Sequence, residues 1–459
     1  MPYSLLVIFF ISVILNSLTL EKNAPEKIKN TELNTQSIMD NSPDDVQLHQ
    51  DVINFLENRT EPVWQNNAYV YGWAMDLKTE NVYQTGLEIA KELLIANNNY
   101  DYVDDYDDSF LSQYEKISMP KHDDFCKLID VACFTEIINN LDRQIQLTKP
   151  YQELVTRYDN FMSYDHYSDT SNWVASLPSP VLPFKVLVNG QKIKYILSIK
   201  NLTLGEKEHI VSMLKKEAYN LKRLLAQSDS LIAKMIFVHM YSEHLEFINA
   251  ALAMKWLTVN DISDFASLET LNQYELSTVK AWHNEEKIKM RMIQKTVHKN
   301  KVKNLLINVF FADLPAKMIK PNLILNTLYS DFFLPLMDYM ERPPKLFYEG
   351  LADFDININF DEIKNPVGHL FNISAEDTKS QYLDYQARIF SINMKSQLLK
   401  AYVNEGSYEE VINKAKQGHK KYLNHFNQST PFIENKKICY SGIFDSNNEL
   451  RCLNILNLN

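Results

Sequence analysis

Glycine is scarce in this chain, at 9 of 459 positions, against a usual share of about 7%. That scarcity argues against collagen-like repeats, against numerous phosphate-cradling loops and against turn-dense β architectures. There are only four cysteines and no C-x-x-C, so neither a zinc ribbon nor a thioredoxin-type redox motif is expected. No G-x-S-x-G, Walker loop, Rossmann glycine pattern or H-E-x-x-H occurs, and no cofactor is expected from sequence. A helical interior can still hide an active site without a linear signature, so these absences lower the expectation of an enzyme without closing it. An excess of positive charge is missing too: 47 Lys and Arg stand against 58 Asp and Glu. Nucleic acid is not an expected partner, because neutralising phosphates needs clustered cations.

What is present suffices for a folded body. Hydrophobic residues make up 45% and charged residues 23%, which supports a sizeable core and excludes global disorder. The length corresponds to about three domains at about 150 residues each. Ser4–Leu20 carries no charge. It is longer than a typical signal-peptide core and short of the ~20 residues of a spanning helix. It lacks a basic leader and a small-residue cleavage site, so an uncleaved anchor is slightly preferred over a signal peptide. Lys22, Lys27 and Lys29 on its C-terminal flank oppose export under the positive-inside rule. The alternative is a buried helix.

The expected organisation is an anchor over 1–22, a flexible polar linker over 23–60, helical regions over 61–225 and 226–430, and a small β tail over 431–459. The fold class is mainly α: packed helical hairpins with a small C-terminal β element. Apolar spacing of three and four places helices over Gly86–Asn97, Phe134–Tyr158, Glu206–Leu257, Leu271–Val309, Leu323–Met340, Ser380–Val403 and Tyr408–His425. The third must break, and Gln227, Ser228 and Asp229 mark the junction. Gly406 stops one late helix and Ser407 caps the next. Phe184–Leu197 reads two ways: Asn189-Gly190 is a hairpin signal, while Pro183 and the apolar spacing fit a helix.

The cysteines form two local pairs, Cys126 with Cys133 and Cys439 with Cys452. Two disulfides imply an oxidising compartment; the alternative is four buried thiols acting as small apolar residues. Seven residues of continuous helix rise about 10.5 Å, whereas a bridge needs Cα atoms within about 7 Å. A Cys126–Cys133 bridge therefore demands a helix break near Asp130. Around a turn near Ser446-Asn447, two short strands would bring Cys439 and Cys452 nearly opposite each other.

The segments Leu225–Ile236, Lys320–Asn326 and Asn365–Gly368, with Asn67–Tyr71, the Cys-x6-Cys at 126–133 and the tail after Pro431, resemble stretches of an uncharacterised proteobacterial envelope protein family. Its members have similar length and an N-terminal membrane segment. The resemblance extends over about residues 64–455 in the same order. It implies a largely helical bacterial envelope protein, inner-membrane anchored with a periplasmic body or periplasmic if cleaved. It favours helix at 184–197. It transfers no catalytic residue, because the family has no assigned activity. The present chain departs from it in its Asn-, Lys- and Ile-rich composition and its basic stretch at 280–303.

Four constellations invite chemistry. Ser230 and Lys234 lie one helical turn apart, as in a Ser–Lys nucleophile, but the spacing is not S-x-x-K and companion motifs are absent. Capping, snorkelling or pairing of Lys234 with Asp229 is the expected role. His239 and His244 point about 140° apart on a helix and cannot share a zinc, so His239 with Glu243 reads as a surface pair. Asp101, Asp104, Asp105, Asp107 and Asp108 lack the order of a calcium loop and read as solvated. Lys280–Lys303 sets eight basic residues against Glu285 and Glu286, interleaved with Ile288, Met292, Ile293 and Val297. Such a helix suits anionic lipid or an acidic partner, or it is a solvated face. The expected function is a non-catalytic helical binding or scaffold module with a protein partner in the envelope or inner membrane. The alternatives are an envelope hydrolase using Ser230 and Lys234, and lipid-surface binding through Lys280–Lys303.

Overall fold

A computed structural model describes residues 47–57, 63–99, 109–121, 124–126, 131–170, 181–298, 321–351, 353–356, 366–442 and 448–455. Ser4–Leu20, residues 23–46 of the expected 23–60 linker and the Asp101–Asp108 cluster lie outside them; the rest of that stretch is not all linker, because Gln50–Glu57 forms a helix that buries Val52, Phe55 and Leu56. Among the described residues no helix is long and apolar enough to cross a membrane.

The chain is mainly helical, with one small sheet at its C-terminus. Numbering helices of seven residues or more, α1 is Gln50–Glu57, α2 Val82–Asn99, α3 Val131–Asn139, α4 Leu141–Thr148 and α5 Gln152–Ser163. Then follow α6 Lys185–Thr203, α7 Lys207–Gln227, α8 Leu231–Ala253 and α9 Val279–His298. The last are α10 Pro321–Thr327, α11 Leu334–Met340, α12 Pro344–Gly350, α13 Pro366–Glu405 and α14 Tyr408–Lys416. Two compact units emerge. The smaller holds the described residues of 1–58, 289–334 and 356–376, the larger those of 59–288, 335–355 and 377–459. The boundary expected between 225 and 226 falls at the end of α7, inside the larger unit.

In the smaller unit, Phe55 of α1 packs its ring 4.6 Å from Phe333 and 5.2 Å from Tyr329. Arg291 donates to the Leu56 carbonyl, a cation placed where the helix dipole favours one. Between α10 and α11 the backbone makes a π turn over Leu328–Phe333. Pro335 follows one residue beyond it, after Leu334. It has no N–H for Asp331 and its ring would crowd that carbonyl, so the wider turn absorbs the mismatch.

The larger unit is built round α8, which is buried on almost every face. The expected junction holds: α7 ends at Gln227 and α8 starts at Leu231. α7 turns Ile210, Leu214, Leu221 and Leu225 inward. Its Lys207, Lys215 and Lys222 pair with Asp261, Asp264 and Glu275. Gly205 (φ +82°) closes α6, with Gly205 N bonded to Leu202 O at 3.1 Å and Glu206 N to Asn201 O at 2.9 Å. That double bond is the usual glycine-dependent helix stop.

The Asn189-Gly190 ambiguity resolves as helix. Gly190 sits inside α6 where α5 crosses it, and a Cβ there would lie 2.6 Å from both Leu154 O and Tyr158 Cβ. Helix contact, not a turn, needs this glycine. Gly190→Ala is expected to cost about 1–3 kcal/mol, read as a lower urea midpoint with unchanged slope.

Several expectations need correction. Phe134–Tyr158 is not one helix but α3, α4 and the start of α5, with a 3₁₀ turn at Lys149–Tyr151, where Pro150 removes a donor. The Leu271–Val309 stretch begins as a short helix, Gln273–Leu276, and restarts as α9 at Val279. Asn272 caps the first piece by accepting from Tyr274 N and Glu275 N. Gly406 (φ +72°) and the Ser407 cap do separate α13 from α14, but α14 ends at Lys416 rather than His425.

Both disulfides are formed, Cys126–Cys133 and Cys439–Cys452. α3 starts only at Val131, so Cys126 precedes the helix that carries Cys133, as the bridge geometry demands. Asp130 itself lies outside the described residues. The C-terminal element has three strands rather than two: β1 Phe432–Glu434, β2 Lys437–Cys439 and β3 Cys452–Asn454, in antiparallel order β1-β2-β3. Cys439 lies directly opposite Cys452. Asn435 and Lys436 both have positive φ, the two-residue turn whose twist suits a hairpin.

Candidate functional site

α8 reads as an apolar helix interrupted by Lys234, His239, Ser242, Glu243, His244, Glu246 and Asn249. All but His239 are buried. Buried charge and polarity persist only where partners satisfy them, and two clusters provide those partners.

The first surrounds Glu217 of α7. Its Oε1 accepts from Tyr158 Oη at 2.7 Å, Tyr195 Oη at 2.7 Å and Gln191 Nε2 at 3.0 Å. Its Oε2 lies 3.4 Å from Lys194 Nζ, which also reaches Asp159 at 2.7 Å. Burial pushes the Glu217 carboxyl up, but Lys194, His244 and the tyrosines outweigh it and hold it below the usual range. Tyr195 Oη is 3.0 Å from His244 Nδ1. The tyrosine's one proton already goes to Glu217, so Nδ1 of His244 must be the donor and Nε2 carries the lone pair. Burial pushes the His244 pKa down to about 4, which keeps the ring neutral near pH 7. The cluster is a sealed, ionised carboxylate on α7 whose donors come from α5 and α6.

The second cluster joins α8 to α13. Lys395 Nζ lies 2.7 Å from Glu246 Oε1, 2.8 Å from Ser242 Oγ and 3.1 Å from Glu449 O. Those three contacts use all three ammonium protons. Glu246 Oε2 accepts from Asn454 N at 3.3 Å, and Asn249 Nδ2 donates to Asn454 O at 2.8 Å. Tyr408 Oη donates to Asn249 Oδ1. Burial pushes the Lys395 pKa down, against Glu246. The structure thus brings together a Ser–Lys pair that sequence did not show, from residues 153 apart. A general base must be neutral to take the serine proton; here the lysine donates instead.

The pair that sequence did suggest is not assembled. Ser230 stands at the N-cap of α8 with no side-chain cap bond, and no hydrogen bond joins it to the Lys234 side chain among the described residues. Lys234 neither snorkels nor pairs with Asp229. It is fully buried, donates to Leu225 O and lies 3.5 Å from Tyr274 O; burial pushes it down to about 7. Asp229 instead accepts from Asp169 N at 3.2 and 3.3 Å and lies 3.7 Å from Lys280. His239 and Glu243 do approach, at 3.8 Å, but Glu243 is buried, so this is no surface pair. Among the described residues no group of three His, Cys, Asp or Glu is placed to hold a metal ion. In the basic stretch, Lys280 is exposed while Lys287 and Arg291 are buried, so its charge is not all on one solvated face. Lys299, Lys301 and Lys303 lie outside the described residues.

Comparison with protein-family models, with curated proteins and with solved structures yields no match.

Proposed function

We propose that the chain is an exported or membrane-tethered module of a bacterial envelope that binds a protein partner through its helix faces. The closure of both cysteine pairs carries this reading, because such bridges persist in oxidising compartments. The cluster of Glu246 and Ser242 with Lys395 supports a binding rather than a catalytic role, since all three protons of the lysine are spent on the fold. The resemblance to an uncharacterised envelope family belongs to the same proposal. The large apolar side chains left exposed on the α7 side, Tyr219 and Tyr274, are natural contact points.

The test is peptide mapping of native protein alkylated without reductant, with photo-crosslinking in cells from positions 219 and 274. Linked 126–133 and 439–452 peptides and a discrete crosslinked species are expected. Four alkylated thiols would remove the exported reading, and an absence of crosslinks from both positions would remove the binding one.

A further inference from the structure

The last described residues close over a charged pair. β3 is an edge strand: Cys452 and Leu453 pair with Cys439 and Ile438 of β2. Its outer side is held by buried side chains rather than by another strand. Glu246 accepts from Asn454 N, Asn249 donates to Asn454 O, and Lys395 donates to Glu449 O. Lys395 and Glu246 are 0% and 2% exposed, and residues 449 to 454 supply part of what keeps them from water. Drying two opposite charges costs several kcal/mol per ion before their attraction returns it, so this closure is poorly driven by the pair itself. The Cys439–Cys452 bridge, spanning 13 residues, supplies the missing term by removing loop entropy from the open state.

We propose that Cys439–Cys452 is a redox-set latch. Oxidised, it holds residues 448–455 shut over Lys395 and Glu246; reduced, it lets that segment open and hydrate the pair while the helices round α8 stay folded. Reduction is a two-electron thiol–disulfide exchange with a dithiol: the S–S bond breaks to two thiols, and the dithiol becomes a disulfide. Both sulfurs are buried, so exchange in the mature protein waits on fraying of the segment. The reduced, open form is therefore the chain before oxidation, and closing is its final folding step.

Hydrogen exchange read by mass spectrometry on the full chain tests this. In a Cys439→Ser, Cys452→Ser double variant the amides of 448–455 are expected to exchange about a hundred-fold faster, the factor a loop of this length corresponds to. Acetylation of the Lys395 amine should rise with it, and exchange in α6, α7 and α8 should not change. A Cys126→Ser, Cys133→Ser control should leave 448–455 as in the parent. In the disulfide-intact chain, Asn249→Ala should speed exchange at 453–455 several-fold. Unchanged exchange at 448–455, equal acceleration throughout α6 to α8, or failure of the Cys439→Ser, Cys452→Ser variant to fold would each overturn the proposal.

Discussion

Lys395→Met is expected to destabilise the larger unit by about 3–5 kcal/mol, the usual cost of leaving one member of a buried ion pair behind. The methionine fills a similar volume but offers no proton. Glu246 then keeps a buried carboxylate that accepts from Asn454 N and Asn249 Nδ2 but has lost its cation, and Ser242 Oγ and Glu449 O lose their donor. Adding Glu246→Gln should recover a large part of the loss, because the charge that made the single change costly is gone. Urea unfolding of the two variants measures the difference. The loss is capped by the free energy of opening 448–455, since hydrating Glu246 is the alternative to burying it alone. A single-variant cost below about 1 kcal/mol would mean that water already reaches the pair.

Asp229→Asn is expected to act in the opposite direction and to stabilise the protein above pH 7. Asp229 is 3% exposed, and burial, with Asp169 adding to it, raises its carboxyl from the ordinary value of 3.8 to about 7. A carboxyl whose pKa is higher in the folded state contributes stability that is complete below about pH 4. It is lost as pH rises through about 7, because the unfolded chain sheds its proton first. Over about three units at 1.36 kcal/mol each, the wild type forgoes up to about 4 kcal/mol that asparagine retains. The amide oxygen can still accept from Asp169 N. The pairing with Lys280 is lost, but at 3.7 Å to a side chain 60% exposed it is worth little. Denaturation at pH 4, 5.5, 7 and 8.5 should show the two proteins equal at the lowest pH, diverging to pH 7 and parallel above it. A constant difference at every pH would assign the effect to packing and not to the proton.

Much of the fold was legible because local chemistry and global packing agree. Gln227-Ser228-Asp229 interrupts an apolar run with residues that prefer caps and turns, and the chain does break there. Gly406-Ser407 joins a positive-φ stop to a side-chain cap, and both functions appear. Where the reading failed, the deciding interaction was distant or the signal was shared. Asn189-Gly190 carries the residues of a hairpin turn, yet the glycine answers to α5 crossing overhead. The Asn435-Lys436 turn lacks the glycine that normally betrays such a hairpin, so β1 was not anticipated. Ser242 and Lys395 lie in separate helices, and nothing in either local sequence points to the other. A trace was present in α8 alone: a helix apolar on all sides that still carries Lys234, Glu243 and Glu246 has to find partners elsewhere.

Those same charges have a second physical effect. At 23 residues and 1.5 Å per residue, α8 is about as long as a bilayer's hydrocarbon core is thick. For any route that threads the unfolded chain across a membrane, such a segment is a natural place to stall and insert. Each Lys or Asp near the middle of a would-be span costs about 2.5–3.5 kcal/mol at the translocation channel, and glutamate is of the same kind. Lys234, Glu243 and Glu246, buried in the folded core, would before folding keep this long apolar helix from being mistaken for an anchor.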